Sequence, residues 1–260
     1  MSNNYWAERA AKTQAALTDK TIKQTEKQMR LYYQSTMKKT LDNFEKTYAK
    51  ILHRLSEGKE ISPADLYKLD SYWQLQGQLK QELQKLGDKQ AALLSKNFMK
   101  QYQGIYDSIA IPGGKAFTTL DTQLAQQMIN HIWCADGKSW SQRVWENTER
   151  LAEALNENLI HCVATGAKPG ELKKLLVNEF GVSFSRADAL VRTELAHIQT
   201  QAAQQRYKDY GIQKVQVWAD ADERRCEVCG KLHETIYPIN AQMPIPAHPR
   251  CRCSIIPVVE

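Results

Sequence analysis

The sequence predicts a mainly α protein, with long N-terminal helices and a helical block followed by a small C-terminal β-rich module. Three observations carry this. Gln, Lys, Ala and Leu dominate the first half, as in long helices. No Pro or Gly interrupts the chain from about Tyr5 to Leu55. After Gly211 the texture changes to short β-branched, Pro-bounded stretches that hold all the clustered cysteines.

In the first stretch Leu17, Ile22, Met29, Tyr32, Tyr33, Met37, Leu41, Phe44, Tyr48 and Leu52 recur at roughly helical spacing, which predicts one long helix or two nearly coaxial ones. "SEGKEISPADLYKLD" then breaks the pattern. Gly58 suits a helix stop, Ser62 an N-cap and Pro63 a first turn. A second helical stretch is expected through Leu86, a turn at Gly87, and a third helix from Asp88 to about Tyr106. Antiparallel packing of these helices on the first would bury their apolar stripes. A helix of about 50 residues would extend about 75 Å, longer than neighbours of roughly 20 residues cover. An apolar face is therefore expected to remain for another chain, and residues 1–110 read as an N-terminal arm or bundle.

"IAIPGGKAFT" cannot continue a helix, so residues 111–118 are assigned as a linker. A helical core over 119–211 follows. Ser139 with Gln142 forms a capping-box pattern, and Ser185 with Asp188 a looser one. Pro169 suits a helix start, and Gly181 suits an exit into a loop. The last segment, 212–260, has "KVQVW", "TIYPI" and "SIIPVV" as short strands.

Composition narrows the function classes. The net charge of +6 is too mild to demand nucleic acid. The N-terminal "MSNNYWAERAAKTQ" lacks the apolar region of a signal peptide, and no run approaches the roughly 18 apolar residues that span a bilayer. A soluble protein made in the cytoplasm and making no membrane contact is the expectation. In a reducing compartment, closely spaced cysteines favour metal ligation over disulfides. Cys134 and Cys162 stand apart and read as small buried apolar residues.

Four of the six cysteines and a histidine fall in the last 35 residues. Cys226-x2-Cys229 places two thiols on one tight turn, and His248-x2-Cys251 supplies a second pair. Two such pairs match the four N/S donors of tetrahedral structural zinc, one ion per chain. Cys253 is a fifth candidate and His233 a weaker sixth. A module of about 50 residues buries little apolar surface, so an ion would add folding free energy that the core lacks. Asp220, Asp222 and Glu223 just upstream read as turn formers. "LVRTELAH" puts Arg192, Thr193 and Glu194 on a helix, where charged residues ordinarily face solvent or form salt bridges. No Walker loop, G-x-S-x-G, H-E-x-x-H or dinucleotide fingerprint occurs, and no catalytic or cofactor-binding residue is assigned.

The runs "WCADGKSWSQRVWENTERLAEAL", "ADALVRTELAHIQTQAAQQRYKDYG", "VWADADERRCEVCGKLH" and "PAHPRCRCSIIP", in that order, resemble the tailed-phage minor head proteins, also called phage head morphogenesis or Mu F-like proteins. The resemblance covers about Trp133 to Pro257. It implies a low-copy, non-enzymatic component of a phage or prophage virion, inside the capsid near the portal, that assists head assembly, DNA packaging or DNA delivery. The implied partners are the portal protein, further copies of this chain and other capsid proteins, with weak or transient contact to double-stranded DNA. By position, Arg192, Thr193 and Glu194 match the family helix, and Cys226, Cys229, His248, Cys251 and Cys253 match its Cys/His module. Where relatives often read Leu-Asp-Gly after the C-x2-C turn, this chain has Leu232, His233 and Glu234. Two other classes compete: a metal-dependent Cys/His nuclease, with His248 in the chemistry and Asp220 or Asp222 on a divalent ion, and a zinc-containing DNA-binding protein. His248-dependent nicking of plasmid would mark the first, and steeply salt-dependent DNA affinity the second.

Overall fold

The computed structural model describes residues 3–56, 63–110, 119–219 and 225–258. The expected mainly α architecture is observed. In chain order the helices are α1 (Asn3–Ser56), α2 (Pro63–Leu66), α3 (Asp70–Ser108), α4 (Thr122–Asn130), α5 (Trp140–Thr165), α6 (Pro169–Asp209) and the short α7 (Glu227–Leu232). Strands β1 (Lys214–Trp218), β2 (Ile236–Pro238) and β3 (Ser254–Pro257) form one antiparallel sheet in the order β2-β1-β3. The register sets Val215 opposite Tyr237 and Val217 opposite Ile255. Val215 and Val217 are both buried, as the alternation of "KVQVW" requires.

Gly58, Ser62 and the 111–118 linker lie outside the described residues, whereas Pro63 does open α2 and Pro169 opens α6. Three boundary expectations are corrected. Gly87 is not a turn, because α3 runs unbroken through it for 39 residues. A Cβ there would meet the Trp145 ring at 2.4 Å, so this glycine serves close packing. Gly181 likewise does not exit into a loop, and Ser185 and Asp188 start no new helix. All three are interior to α6, which spans 41 residues. The helix persists because Ser183 beside Gly181 is buried and Phe184 packs edge-on against Tyr33, at 5.4 Å between centroids. Such packing outweighs the roughly 1 kcal/mol a helical glycine costs. Gly211, at φ 77, does end the helix, a conformation suited to glycine.

The chain divides into two compact units, each drawn from separated stretches: Met1–Glu26, Leu93–Trp140 and Ala189–Glu260 in one, Lys27–Ala92 and Ser141–Asp188 in the other. In the second unit a buried polar cluster ties helices together. Asn147 Nδ2 donates to the Tyr33 hydroxyl at 3.1 Å and to the Ser183 carbonyl at 2.9 Å, and the Tyr48 hydroxyl donates to the Cys162 carbonyl at 3.0 Å. Cys162 is buried, as expected, while Cys134 is only half-buried.

In the first unit α1 and α6 meet through Thr18, whose hydroxyl donates to Gln199 Oε1 at 2.5 Å and accepts from Gln101 Nε2 at 2.6 Å. One turn earlier Gln14 Nε2 donates to the Tyr207 hydroxyl at 3.0 Å and the Ile255 carbonyl at 3.2 Å, which fastens α1 and α6 to β3. Buried hydrogen bonds of this kind favour one helix register where an apolar seam would tolerate several. Ala11 packs on Ile256 at the same place.

The expectation that α1 keeps an apolar face for another chain is also corrected. From Ala11 to Ile51 its inward positions are buried at successive steps of three or four residues, Met29, Tyr33, Phe44 and Tyr48 among them. Leu31 is the large exposed hydrophobic residue among its described side chains.

Candidate metal centre

The sheet module begins where α6 stops and β1 starts pairing. Cys226 caps α7, and its Sγ accepts the Cys229 backbone N–H at 3.4 Å. That single turn brings the two thiols to one side. The second half comes from the segment before β3. Cys251 N–H bonds back to the His248 carbonyl at 3.2 Å, and Arg250 between them takes the left-handed conformation, at φ 62. Cys253, itself buried, is the residue immediately before β3, whose Ile255 and Ile256 are buried in turn.

These elements bring all five sequence candidates together in two overlapping groups. Cys226, Cys229 and His248 form one, Cys229, Cys251 and Cys253 the other, with donor atoms in each within 4.8 Å. Cys229 belongs to both. His248 Nε2 lies 3.3 Å from Cys226 Sγ and 3.1 Å from Cys229 Sγ, and Cys229 Sγ lies 3.7 Å from Cys251 Sγ. Tetrahedral zinc, with bonds of about 2.3 Å to sulfur and about 2.0 Å to nitrogen, requires S···S near about 3.8 Å and S···N near about 3.5 Å. The observed spacings fit such an ion with small adjustments. His248 Nδ1 sits 2.9 Å from the Pro249 carbonyl, which selects the tautomer protonated there and leaves the Nε2 lone pair for the cluster.

The electrostatics of the thiols are uneven. Hydrogen bonding from the Cys253 thiol draws Cys251 down to about 5, and the proton retained by Cys253 pushes that group up. Burial raises Cys229 to about 12, while the N–H of Cys229 lowers Cys226. A carbonyl partner, that of Pro249, raises His248. A cation among these sulfurs reverses the cost of the buried thiolate at Cys229.

His233 does not join the cluster. Its ring packs edge-on to Trp218 at 5.1 Å, and its Nδ1 accepts the Ala219 N–H at 3.3 Å. Asp220, Asp222 and Glu223 lie outside the described residues.

The reading of these charges as solvent-facing or salt-bridged holds for Arg192, which forms an ion pair, and is overturned at Glu194. Glu194 is only 3% exposed and accepts from Trp133 Nε1 at 3.1 Å. Arg192 reaches Glu26 of α1 at 3.1 Å. Thr193 between them donates to the Ala189 carbonyl at 2.7 Å and accepts the Arg250 N–H at 3.1 Å. Buried His197 stacks on Trp133, with 4.2 Å between centroids. Solvent-facing helix residues give no such pattern in periodicity. The signal that could have found it is the run 195–205, which holds no Asp, Glu, Lys or Arg and lies on a mostly buried stretch of α6.

Fold and site together define a mainly helical protein closed by a small sheet around a Cys/His cluster that could hold a metal ion. Residues 153–256 match the family model described as Phage Mu protein F like protein, which agrees with the resemblance the sequence showed over this segment. The matched segment contains the Arg192-Thr193-Glu194 triplet and all five clustered donors. No curated protein and no solved structure matches the chain. Among the described residues no helix is long and apolar enough to cross a membrane.

Proposed function

We propose that this protein is a minor head protein of a tailed phage or prophage, carried in the virion near the portal, whose sheet module is held by one structural zinc ion. The family match over 153–256 carries the reading, because it coincides with the segment that builds the Cys/His cluster. Phage head morphogenesis and a place in the virion follow from the family. Portal association, a capsid-interior position and assistance to packaging or delivery are the finer proposal. The zinc ligands are drawn from Cys226, Cys229, His248, Cys251 and Cys253, with Cys226, Cys229, His248 and Cys251 as the favoured four. A structural role agrees with His248, whose two ring nitrogens face a carbonyl and two sulfurs. A histidine so engaged is a ligand rather than a general base.

The test is co-purification of the tagged, full-length protein with the product of the gene immediately upstream, together with its detection in purified particles. The expected outcome is a stable complex and a low, fixed copy number per particle. Absence from particles that assemble normally would defeat the proposal.

A further inference from the structure

We infer that the Thr193 hydroxyl is a positioning group for the metal centre, holding the His248–Cys251 turn in its ligating shape and so setting the affinity for the ion. The inference rests on the zinc reading above and goes beyond it, since Thr193 is 55 positions or more from these ligands in sequence and touches no ion.

The His248–Cys251 turn does not hold its own shape. Between its two ligands stand Pro249, which has no N–H, and Arg250, a non-glycine residue held at φ 62. That conformation is disfavoured for a side-chain-bearing residue and persists where surrounding contacts impose it. The Cys251 N–H is used inside the turn, on the His248 carbonyl at 3.2 Å. The Arg250 N–H leaves the turn and bonds to Thr193 Oγ1 at 3.1 Å. Thr193 is prepared for this. Its own hydroxyl hydrogen goes to the Ala189 carbonyl one turn back, at 2.7 Å, so its lone pairs are what it offers outward.

Its neighbours fix the direction. Successive helical residues point about 100° apart, so Arg192, Thr193 and Glu194 address three different segments. Arg192 meets Glu26 of α1, and Glu194 holds Trp133. With both flanks tied, α6 cannot turn about its axis to release the Arg250 amide. The triplet is therefore a three-way fastening in which the central hydroxyl serves the metal turn.

Full-length wild type, Thr193→Val and Thr193→Ser are compared. Zinc affinity is measured by competition with a chromophoric chelator, site geometry by the visible spectrum of bound Co2+, and the helices by circular dichroism. Valine keeps the shape and removes the acceptor. It is expected to leave the helical signal and one equivalent of metal while weakening zinc binding about tenfold, the equivalent of one hydrogen bond. Serine is expected to restore affinity to within about twofold. Equal affinity of wild type and valine, or serine as weak as valine, overturns the inference while the zinc reading stands. A wild type that binds no zinc overturns both. Should the valine variant not fold, amide hydrogen exchange of Arg250 in the zinc-loaded wild type decides. Protection supports the fastening, and exchange at the rate of an open amide overturns it.

Discussion

Replacing Cys229 by Ser is expected to be the most damaging single change at the Cys/His cluster, because Cys229 is the donor common to both groups. Its sulfur stands 3.1 Å from His248 Nε2 and 3.7 Å from Cys251 Sγ, so its loss removes the link between the two halves. Structural zinc contributes an apparent free energy of about 10–16 kcal/mol in small modules, or about 2.5–4 kcal/mol for each of four ligands. Losing one ligand therefore weakens binding by about a hundredfold or more. Cys253→Ser, affecting one group alone, should cost far less if Cys226, Cys229, His248 and Cys251 are the ligands. The assay is chelator competition on the full chain, with elemental analysis for stoichiometry and Trp218 fluorescence for the sheet. Wild type should hold one zinc, and the Cys229 variant should lose it and melt residues after Gly211 while the long helices persist. Undiminished affinity in Cys229→Ser would refute the shared-donor geometry. A fully folded, metal-free sheet module would refute the structural role of the ion.

Gly87→Ala should destabilise the protein by about 1–2 kcal/mol despite alanine's better helix propensity, because its Cβ would stand 2.4 Å from Trp145. In a Trp145→Ala background the same change should become stabilising, and chemical denaturation of the four forms reads the reversal of sign. Burial, with a smaller contribution from His131, depresses His197 to about 3. The unfolded state binds its proton near pH 6.5, so the stability held above that pH is lost as pH falls toward about 3, by about 2 kcal/mol at pH 5. His197→Phe should keep the ring stacking on Trp133 and flatten that slope in melts taken between pH 7 and pH 5. Deleting residues 1–26 should unfold the sheet module, seen as lost zinc and altered Trp218 fluorescence, because Gln14 and Ala11 anchor β3 from α1. A truncated chain with an intact module would return that segment to the role of a separate arm.

Local patterns of residue type carried much of this protein. The Pro- and Gly-free periodicity before Leu55 encodes α1, the alternation of "KVQVW" encodes β1, and the ligand spacing encodes the Cys226–Cys229 and His248–Cys251 pairs. Each depends on residues a few positions apart, which chain geometry alone brings to one face or one turn. Other features depended on partners far along the chain. Gly87 and Gly181 carry the same local signature as a turn glycine, and what decided them was Trp145 over one and the packing of Phe184 on Tyr33 beside the other. The burial of Met29, Tyr33, Phe44 and Tyr48 then decided that the apolar stripe of α1 is core. Glu194 reads as a surface charge until Trp133, 61 positions away, is set against it, and Thr193 has no reading at all without Arg250. The physical reason is the same throughout. Periodicity reports which face of an element is apolar, but the burial of a charge, the closeness of a glycine and the direction of a hydroxyl are set by the neighbour that tertiary packing supplies.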